Sequence, residues 1–366
     1  MSLLFKFIIF CCQDRFTYPY DYDYCRMYSI TNKYHGKIII LFIFFFLFVC
    51  FMLLTYNDME LNATTFDKEV SVIYAGSLIN IFENGIKSAF QNSTGYNFIG
   101  EAKGSVQISN MIQDGFRKPD VFVSADTTPI ERLINLSMPL ANWLVEFGSA
   151  ELVIAYSPNS PFAPELLKAS KNELPWYKIL EKEGFKFGRT DPNLDPKGYY
   201  TIIASKLANI YYNDSTIEAK VLGKDRNKKQ IFPEEILNSI LDSGQIDAIA
   251  AYKHEAITKG LPFISLPDQI NLSNPNYTNF YNKISYKTKT GETISGNPIF
   301  FSFTISNTVE NIEGAVAFIK FLISENGNKI LEQNGLRPIK PILHGNGYKL
   351  KPELLSFIHD HKTSFY

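Results

Sequence analysis

The stretch "EVSVIYAGSLINIFENGIKSAFQ", Glu69 to Gln91, decides how the rest of the chain is read. Its first seven residues alternate like a β-strand. Gly-Ser follows, and then Leu78, Phe82, Ile86, Ala89 and Phe90 recur at helical spacing. "NSTG" breaks that helix and "YNFIG" reads as a second strand. "KGSVQISNMIQDGF" again opens on Gly-Ser and continues helically through Val106, Ile108, Met111 and Ile112, and "PDVFVSAD" is a third strand. Strand, helix, strand, helix, strand is the pattern of a parallel α/β sheet.

The pattern recurs further on. "NWLVEFGSAELVIAYSPNS", Asn142 to Ser160, is a long extended stretch able to cross from one domain to another. A second α/β set then reads "FKFGRTDP" as strand, "GYYTIIASKLANIYY" and "PEEILNSILDSG" as helices, and "QIDAIAAY" as strand. "GNPIFFSFTIS" is another strand, and "IEGAVAFIKFLISENGNKILEQNG" is one or two amphipathic helices. A chain that leaves one domain, builds a second and returns implies two lobes hinged about a ligand cleft. The expected organisation is an N-terminal extension over 1–37, a membrane segment over 38–55, a linker over 56–68, lobe 1 over 69–147, lobe 2 over 148–275, a return to lobe 1 over 276–345 and a tail over 346–366.

Composition sets the outer limits. The chain has 366 residues, 45% of them hydrophobic, and a formal net charge of −1. That leaves no basic footprint for nucleic acid. No repeat of 20–50 residues is evident. The uncharged run "IIILFIFFFLFVCFMLLT", Ile38 to Thr55, follows Lys33 and Lys37. It is long enough to span a bilayer and has no small-residue cleavage motif, so an uncleaved single-pass anchor is expected, with a cleaved signal as the alternative. Residues 1–26 fit neither structure nor signal, and Met27 is expected to be the natural start. All four cysteines, Cys11, Cys12, Cys25 and Cys50, precede or lie within the apolar run, so the exported part is expected to fold without disulfides. Sequons at Asn62, Asn92, Asn135, Asn213, Asn271 and Asn276 suit an exported glycoprotein, although an Asn-rich chain also makes such triplets by chance.

Three places carry chemistry. Ser77 in "AGSL" and Ser105 in "KGSV" each stand where a strand ends and a helix begins. Unpaired N–H groups and the partial positive charge there attract anions. Ordinary N-capping is the competing reading of both serines. "RTDPNLDPKGYY", Arg189 to Tyr200, is a turn by its Asp-Pro and Gly residues, but it also leads into a helix whose N–H groups at Lys197 and Gly198 face the same cleft. The carboxylate of Asp195 conflicts with an anion there. His254 and Glu255 are read as a solvated helix face, and "HDH", His359 to His361, as a mobile chain end. No Ser-His-Asp arrangement, zinc spacing or phosphate loop is visible, so an enzyme is not expected.

From about Val70 to Pro341 the chain resembles the tungstate/molybdate-binding proteins of archaeal ABC transporters. The resemblance is carried in order by "AGSL", "GSV", "VSAD", "NWLVEFGSAELVIAYSPNS", "GRTDPNLDPKGYY", "SGQIDAIAAY", "LPDQINLS", "GNPIFFSFTIS" and "NGLRPIKP". It implies the two-lobed periplasmic-binding-protein fold of type II. It also implies that Ser77, Ser105 and the backbone of Lys197 donate to the oxyanion, that Tyr252 adds its hydroxyl, and that Asp195 coordinates Mo or W directly. The chain departs from that family in two places. Ala251 stands where the family has a second carboxylate ligand, Glu, and Lys197 replaces a residue that is commonly Cys. A site using Asp195 alone, or a simple tetrahedral site, is therefore expected. The implied ligand is molybdate or tungstate and no cofactor is expected. The partners are an ABC permease with its ATPase subunits, and the chain is expected to be a monomer on the extracellular face of the membrane. Sulfate or another tetrahedral oxyanion is the alternative ligand. A sensing ectodomain and an anchored hydrolase are the alternative functions, to be told apart by a neighbouring permease gene and by ester turnover.

Overall fold

Strand β1 (Glu69–Ala75) is buried from Val72 to Ala75 on both faces, because it lies inside a sheet covered on both sides. It pairs in parallel with β2 (Asn97–Lys103) and with β3 (Val121–Ser124). Between β1 and β2 runs a continuous helical stretch, α1, over residues 76–94, which opens as a 3-10 turn and passes through a π-helical turn over Phe82–Ile86. Gly95 ends it with φ 76°, a left-handed turn that glycine adopts without a Cβ clash. Helix α2 (Ser105–Gln113) joins β2 to β3, and α3 (Thr128–Ile134) follows β3.

The parallel reading holds for these three strands and not for the whole sheet. β4 (Trp143–Ser149), β12 (Phe300–Ile305) and β13 (Arg337–Gly345) join antiparallel, giving the order β13-β4-β12-β3-β1-β2. A second, five-stranded sheet has the order β7-β6-β8-β5-β9, from β5 (Leu152–Tyr156), β6 (Phe187–Thr190), β7 (Ile231–Phe232), β8 (Ala248–Tyr252) and β9 (Phe263–Ser265). Here β6, β7 and β8 are parallel, while β5 runs antiparallel to β8 and β9. Both sheets are therefore mixed. The chain passes from the first to the second between β4 and β5, through Ala150 and Glu151. It returns after β9, past the short ribbon of β10 (Ser285–Lys287) and β11 (Thr293–Ser295).

Helices α4 (Ala163–Ser170), α5 (Trp176–Leu180), α6 (Pro196–Tyr211), α7 (Ile217–Leu222), α8 (Glu234–Asp242) and α9 (Lys253–Lys259) belong to the second sheet. After β12 the expected amphipathic segment forms two helices, α10 (Ile312–Leu322) and α11 (Glu325–Gln333). Ser324 divides them, capping α11 by accepting from Gly327 N at 3.2 Å. A last helix, α12, covers Pro352–Asp360.

An aromatic cluster closes one face of the first sheet. Phe318 of α10 lies edge-on to Phe90 at 5.4 Å and beside Phe98 at 5.6 Å and Phe82 at 6.1 Å. Asp120 ties the start of α10 to the sheet. Its carboxylate accepts from Ser71 N at 2.8 Å and from Glu310 N and Asn311 N at 2.9 and 2.8 Å.

The computed structural model describes residue 45, residues 47–52 and residues 68–360. Among the described residues no helix is long and apolar enough to cross a membrane. The anchor expected at 38–55 lies mostly outside them, as do the proposed start at Met27, the linker, and His361. One sequon is corrected: Asn271 is buried, and its Nδ2 donates to Leu266 O at 3.2 Å, so the folded chain offers no room for a glycan there. The sequons at Asn92, Asn135, Asn213 and Asn276 are exposed.

Candidate functional site

The helix starts that follow the strands of both sheets converge. From the first sheet come the openings of α1 and α2. From the second come those of α6, α8 and α9. Close backbone approach is built in by glycines. A Cβ on Gly104 would meet Leu194 O at 2.6 Å, and one on Gly76 would meet Glu234 Cγ at 2.5 Å. Hydrogen bonds join the two sides: Gln107 N donates to Leu194 O at 2.9 Å, His254 Nε2 lies 3.2 Å from Ser77 O, and Tyr199 Oη donates to Asp126 Oδ2.

Ser77 and Ser105 are not capping residues. Neither side chain caps its helix. Ser105 Oγ accepts from Ala125 N at 3.0 Å, which leaves its hydroxyl hydrogen to be directed elsewhere. Ser77 Oγ is buried with no partner among the described residues. A buried hydroxyl without a partner costs about 1–3 kcal/mol, so its hydrogen calls for a partner that the protein does not supply, water or a ligand.

The "DPKGYY" segment is both a turn and a helix start. Asp195 is the N-cap of α6: Oδ1 accepts from Lys197 N at 3.0 Å and from Thr190 Oγ1 at 2.9 Å. The Lys197 N–H, expected to point at a ligand, is thus taken up by the cap. Gly198 is required by space and not by a positive φ. A Cβ there would lie 2.7 Å from both Thr190 O and Pro192 N, because the first turn of α6 packs on the loop that precedes it.

The Lys197 side chain brings something the sequence did not suggest. Its ammonium is 1% exposed and lies 2.8 Å from Glu234 Oε1, and 2.8 and 2.9 Å from Glu255 Oε1 and Oε2. It also sits 5.5 Å from the Tyr252 ring centroid. Glu255 Oε2 accepts in addition from Tyr252 N at 2.7 Å. Burial alone lowers the Lys197 pKa, but Glu234, Glu255 and Asp195 together outweigh it and hold the ammonium above its ordinary range. Burial pushes Glu234 well above the usual carboxylate range and raises Asp195 as well, in both cases against the opposing charge of Lys197.

The expectation that His254 and Glu255 form a solvated face is corrected, since both are buried. They open α9, whose first turn faces α6 and the first sheet, whereas solvent takes the rest of the helix. The His254 ring stacks on Tyr252 at 5.8 Å and meets Phe301 at 5.5 Å. Burial lowers its pKa to about 4, so it is neutral at pH 7.

Of the five residues expected at the site, Ser77, Asp195, Lys197 and Tyr252 are brought together by these contacts. Ser105 opens α2 next to Gly104, which packs on Leu194 and Asp195. Tyr252 Oη and Glu234 Oε2 join Ser77 Oγ as buried polar atoms without a partner among the described residues. Ala251 is buried with its methyl in an apolar cluster with Val153, Leu237 and Ile249, so it offers nothing to a ligand. Glu234 and Glu255 were missed because they lie 37 and 58 residues from Lys197. Only the apolar surroundings of Glu255 in "IAAYKHEA" hinted at burial.

A cavity of about 240 Å³ opens beside this cluster, lined by Gly104, Gln107, Thr190, Asp195, Leu194 and Glu234 among others. A larger one, about 530 Å³, is lined by Asp126, Glu131, Glu146 and Glu292. Carboxylates line both cavities, the smaller one through Asp191, Asp195, Glu234 and Glu235, so what singles the smaller one out is its place beside Lys197 and the unpartnered Glu234 Oε2.

Residues 70–337 match the model of a family described as bacterial extracellular solute-binding protein. The chain is 37% identical over 298 residues to an uncharacterized solute-binding protein of Petrotoga mobilis, covering 79% of this chain and 90% of that one. It is 33% identical over 315 residues to the molybdate/tungstate-binding protein WtpA of Thermococcus kodakarensis, covering 78% and 87%. Among solved structures, a periplasmic molybdate-binding protein of Azotobacter vinelandii superposes with a TM-score of 0.52 at 17% identity, over 73% of this chain and 98% of that one. The sulfate-binding protein SubI of Mycobacterium tuberculosis H37Rv gives 0.51 at 14% identity, over 80% and 91%. At such identities these two likenesses show the fold alone, an α/β fold of the periplasmic-binding-protein type.

Proposed function

From a chain that belongs to the bacterial extracellular solute-binding protein family, we propose a capture subunit for a tetrahedral oxyanion, molybdate or tungstate, that hands its ligand to an ABC permease with its ATPase subunits. The two sheets with their helices act as jaws, and the ligand lies where the helix starts converge. Residues 38–55 tether the chain at the extracellular face. No bond is made or broken, so no catalytic group is needed.

The observation that carries this reading is the pair of buried, unpartnered hydroxyls, Ser77 Oγ and Tyr252 Oη, contributed by opposite sheets. Each gains a hydrogen bond when an oxyanion enters. Neutral donors and helix starts suffice to hold a desolvated anion. The names of the Thermococcus and Pyrococcus abyssi relatives, the latter 34% identical, support molybdate or tungstate as the ligand.

The test is a thermal-shift series on the chain freed of oxyanions, with tungstate, molybdate, sulfate and phosphate added separately. A ligand at 100 times its Kd stabilises by about 2.7 kcal/mol. A shift with tungstate and molybdate only is expected. A comparable shift with sulfate would replace the proposed ligand, and no shift with any of the four would end the oxyanion reading.

A further inference from the structure

One ammonium, Lys197, stands against three buried carboxyl groups, Asp195, Glu234 and Glu255. A dianion entering beside them adds two more negative charges next to groups that are themselves buried. Such an excess is relieved by taking up a proton. The hydrogen-bond pattern says where the proton goes. Asp195 Oδ1 is held by Thr190 and Lys197 N while its Oδ2, which makes no hydrogen bond among the described residues, is not one of the buried unpartnered atoms, and both Glu255 oxygens are held by N–H donors. Among these three residues only Glu234 has an oxygen, Oε2, that is both buried and unpartnered among the described residues. Its other oxygen is fixed by the ammonium at 2.8 Å, and its Cγ lies under the Gly76 backbone that presents Ser77.

We propose that Glu234 is a ligand-binding residue that holds its proton on Oε2 and donates it to the bound oxyanion, beside the hydroxyls of Ser77 and Tyr252, so that capture of the anion is linked to proton uptake. Resting on the oxyanion reading above, this adds a specificity device to it. The groups facing Glu234 are Lys197 and Asp195 from the start of α6, and Glu255 and Tyr252 from β8 and α9. On its own helix Glu235 is 3.6 Å from Lys103 of β2. The burial that raises the Glu234 carboxyl acts in the same direction as the surplus of negative charge. No hydrogen of Lys197 is left over for a ligand, because three carboxylate oxygens already take them.

The experiment measures tungstate affinity of the full chain by calorimetry from pH 6 to pH 9, for the wild type, Glu234→Gln and Glu234→Ala. Two buffers of different ionisation enthalpy count the protons exchanged. The wild type is expected to take up protons on binding and to weaken with rising pH, by up to about tenfold per pH unit where Glu234 titrates. Glu234→Gln keeps a donor that cannot titrate. Its affinity is expected to be flat with pH and at least about tenfold above that of Glu234→Ala, in line with a hydrogen bond to a charged group. A Gln variant that retains the wild-type slope, equal affinities for the Gln and Ala variants, or a wild type with neither slope nor proton uptake would each overturn the proposal. Failure of the wild type to bind any oxyanion would instead remove the oxyanion reading, and this proposal with it.

Discussion

Lys197 shows how far a single side chain can be read. Its place after Asp-Pro was visible in the sequence, and so was its novelty, because the resemblance places a residue there that is commonly Cys. Its partners were not visible, since nothing local links residue 197 to residues 234 and 255. The helix starts at Ser77 and Ser105 were legible because strand, Gly-Ser and helix are contiguous, and a helix start needs no distant partner to present its N–H groups. Glu255 was misread because a charged residue in the first turn of a helix usually points to water. Removing Lys197 strands two buried carboxylates. Lys197→Met is therefore expected to destabilise the fold by about 3–5 kcal/mol, read as a lowered urea midpoint at pH 7. A loss below about 1 kcal/mol would mean that the ion cluster is open to water.

Among the elements, α10 carries the closest dependence on side-chain packing. It reaches the first sheet from some 190 residues beyond β3, and Phe318 is its central contact with Phe82, Phe90 and Phe98. Phe318→Ala is expected to cost about 3–5 kcal/mol by transfer and cavity terms together. The m-value should not change, because the surface exposed on unfolding is nearly the same. The amphipathic period of this segment was plain in the sequence. Its division by the Ser324 cap was not settled there, since an apolar stripe continues past the break. The local pattern also gave no warning that β12 enters between β3 and β4. Strand order depends on pairings between distant segments, and alternation within a strand does not encode its neighbours.

For the molecule as a whole, His254 couples the two sheets, since its ring packs on Tyr252 and Phe301 while Nε2 meets Ser77 O. Its folded pKa, about 4, lies below the ordinary 6.5 because burial disfavours the charged ring. The unfolded chain therefore binds this proton first as pH falls. The stability tied to the neutral ring is present above about pH 6.5, declines between 6.5 and 4, and amounts to about 3 kcal/mol. Urea midpoints across this window should show a shallower acid limb for His254→Phe than for the wild type. Equal limbs would show that the ring is protonated without cost in the folded protein.

The position of β12 also has a consequence in time. Every strand of the second sheet has been made once Ser265 leaves the ribosome. β4, however, lacks both of its neighbours, β12 and β13, until the chain has passed residue 300. At about 5–20 residues per second, the first half of the molecule waits on the order of ten to thirty seconds as an incomplete sheet. A polypeptide bound for the far side of a membrane must stay threadable while it is being exported. Interleaving the last-made strands among the first leaves this sheet unable to close until nearly the whole chain exists.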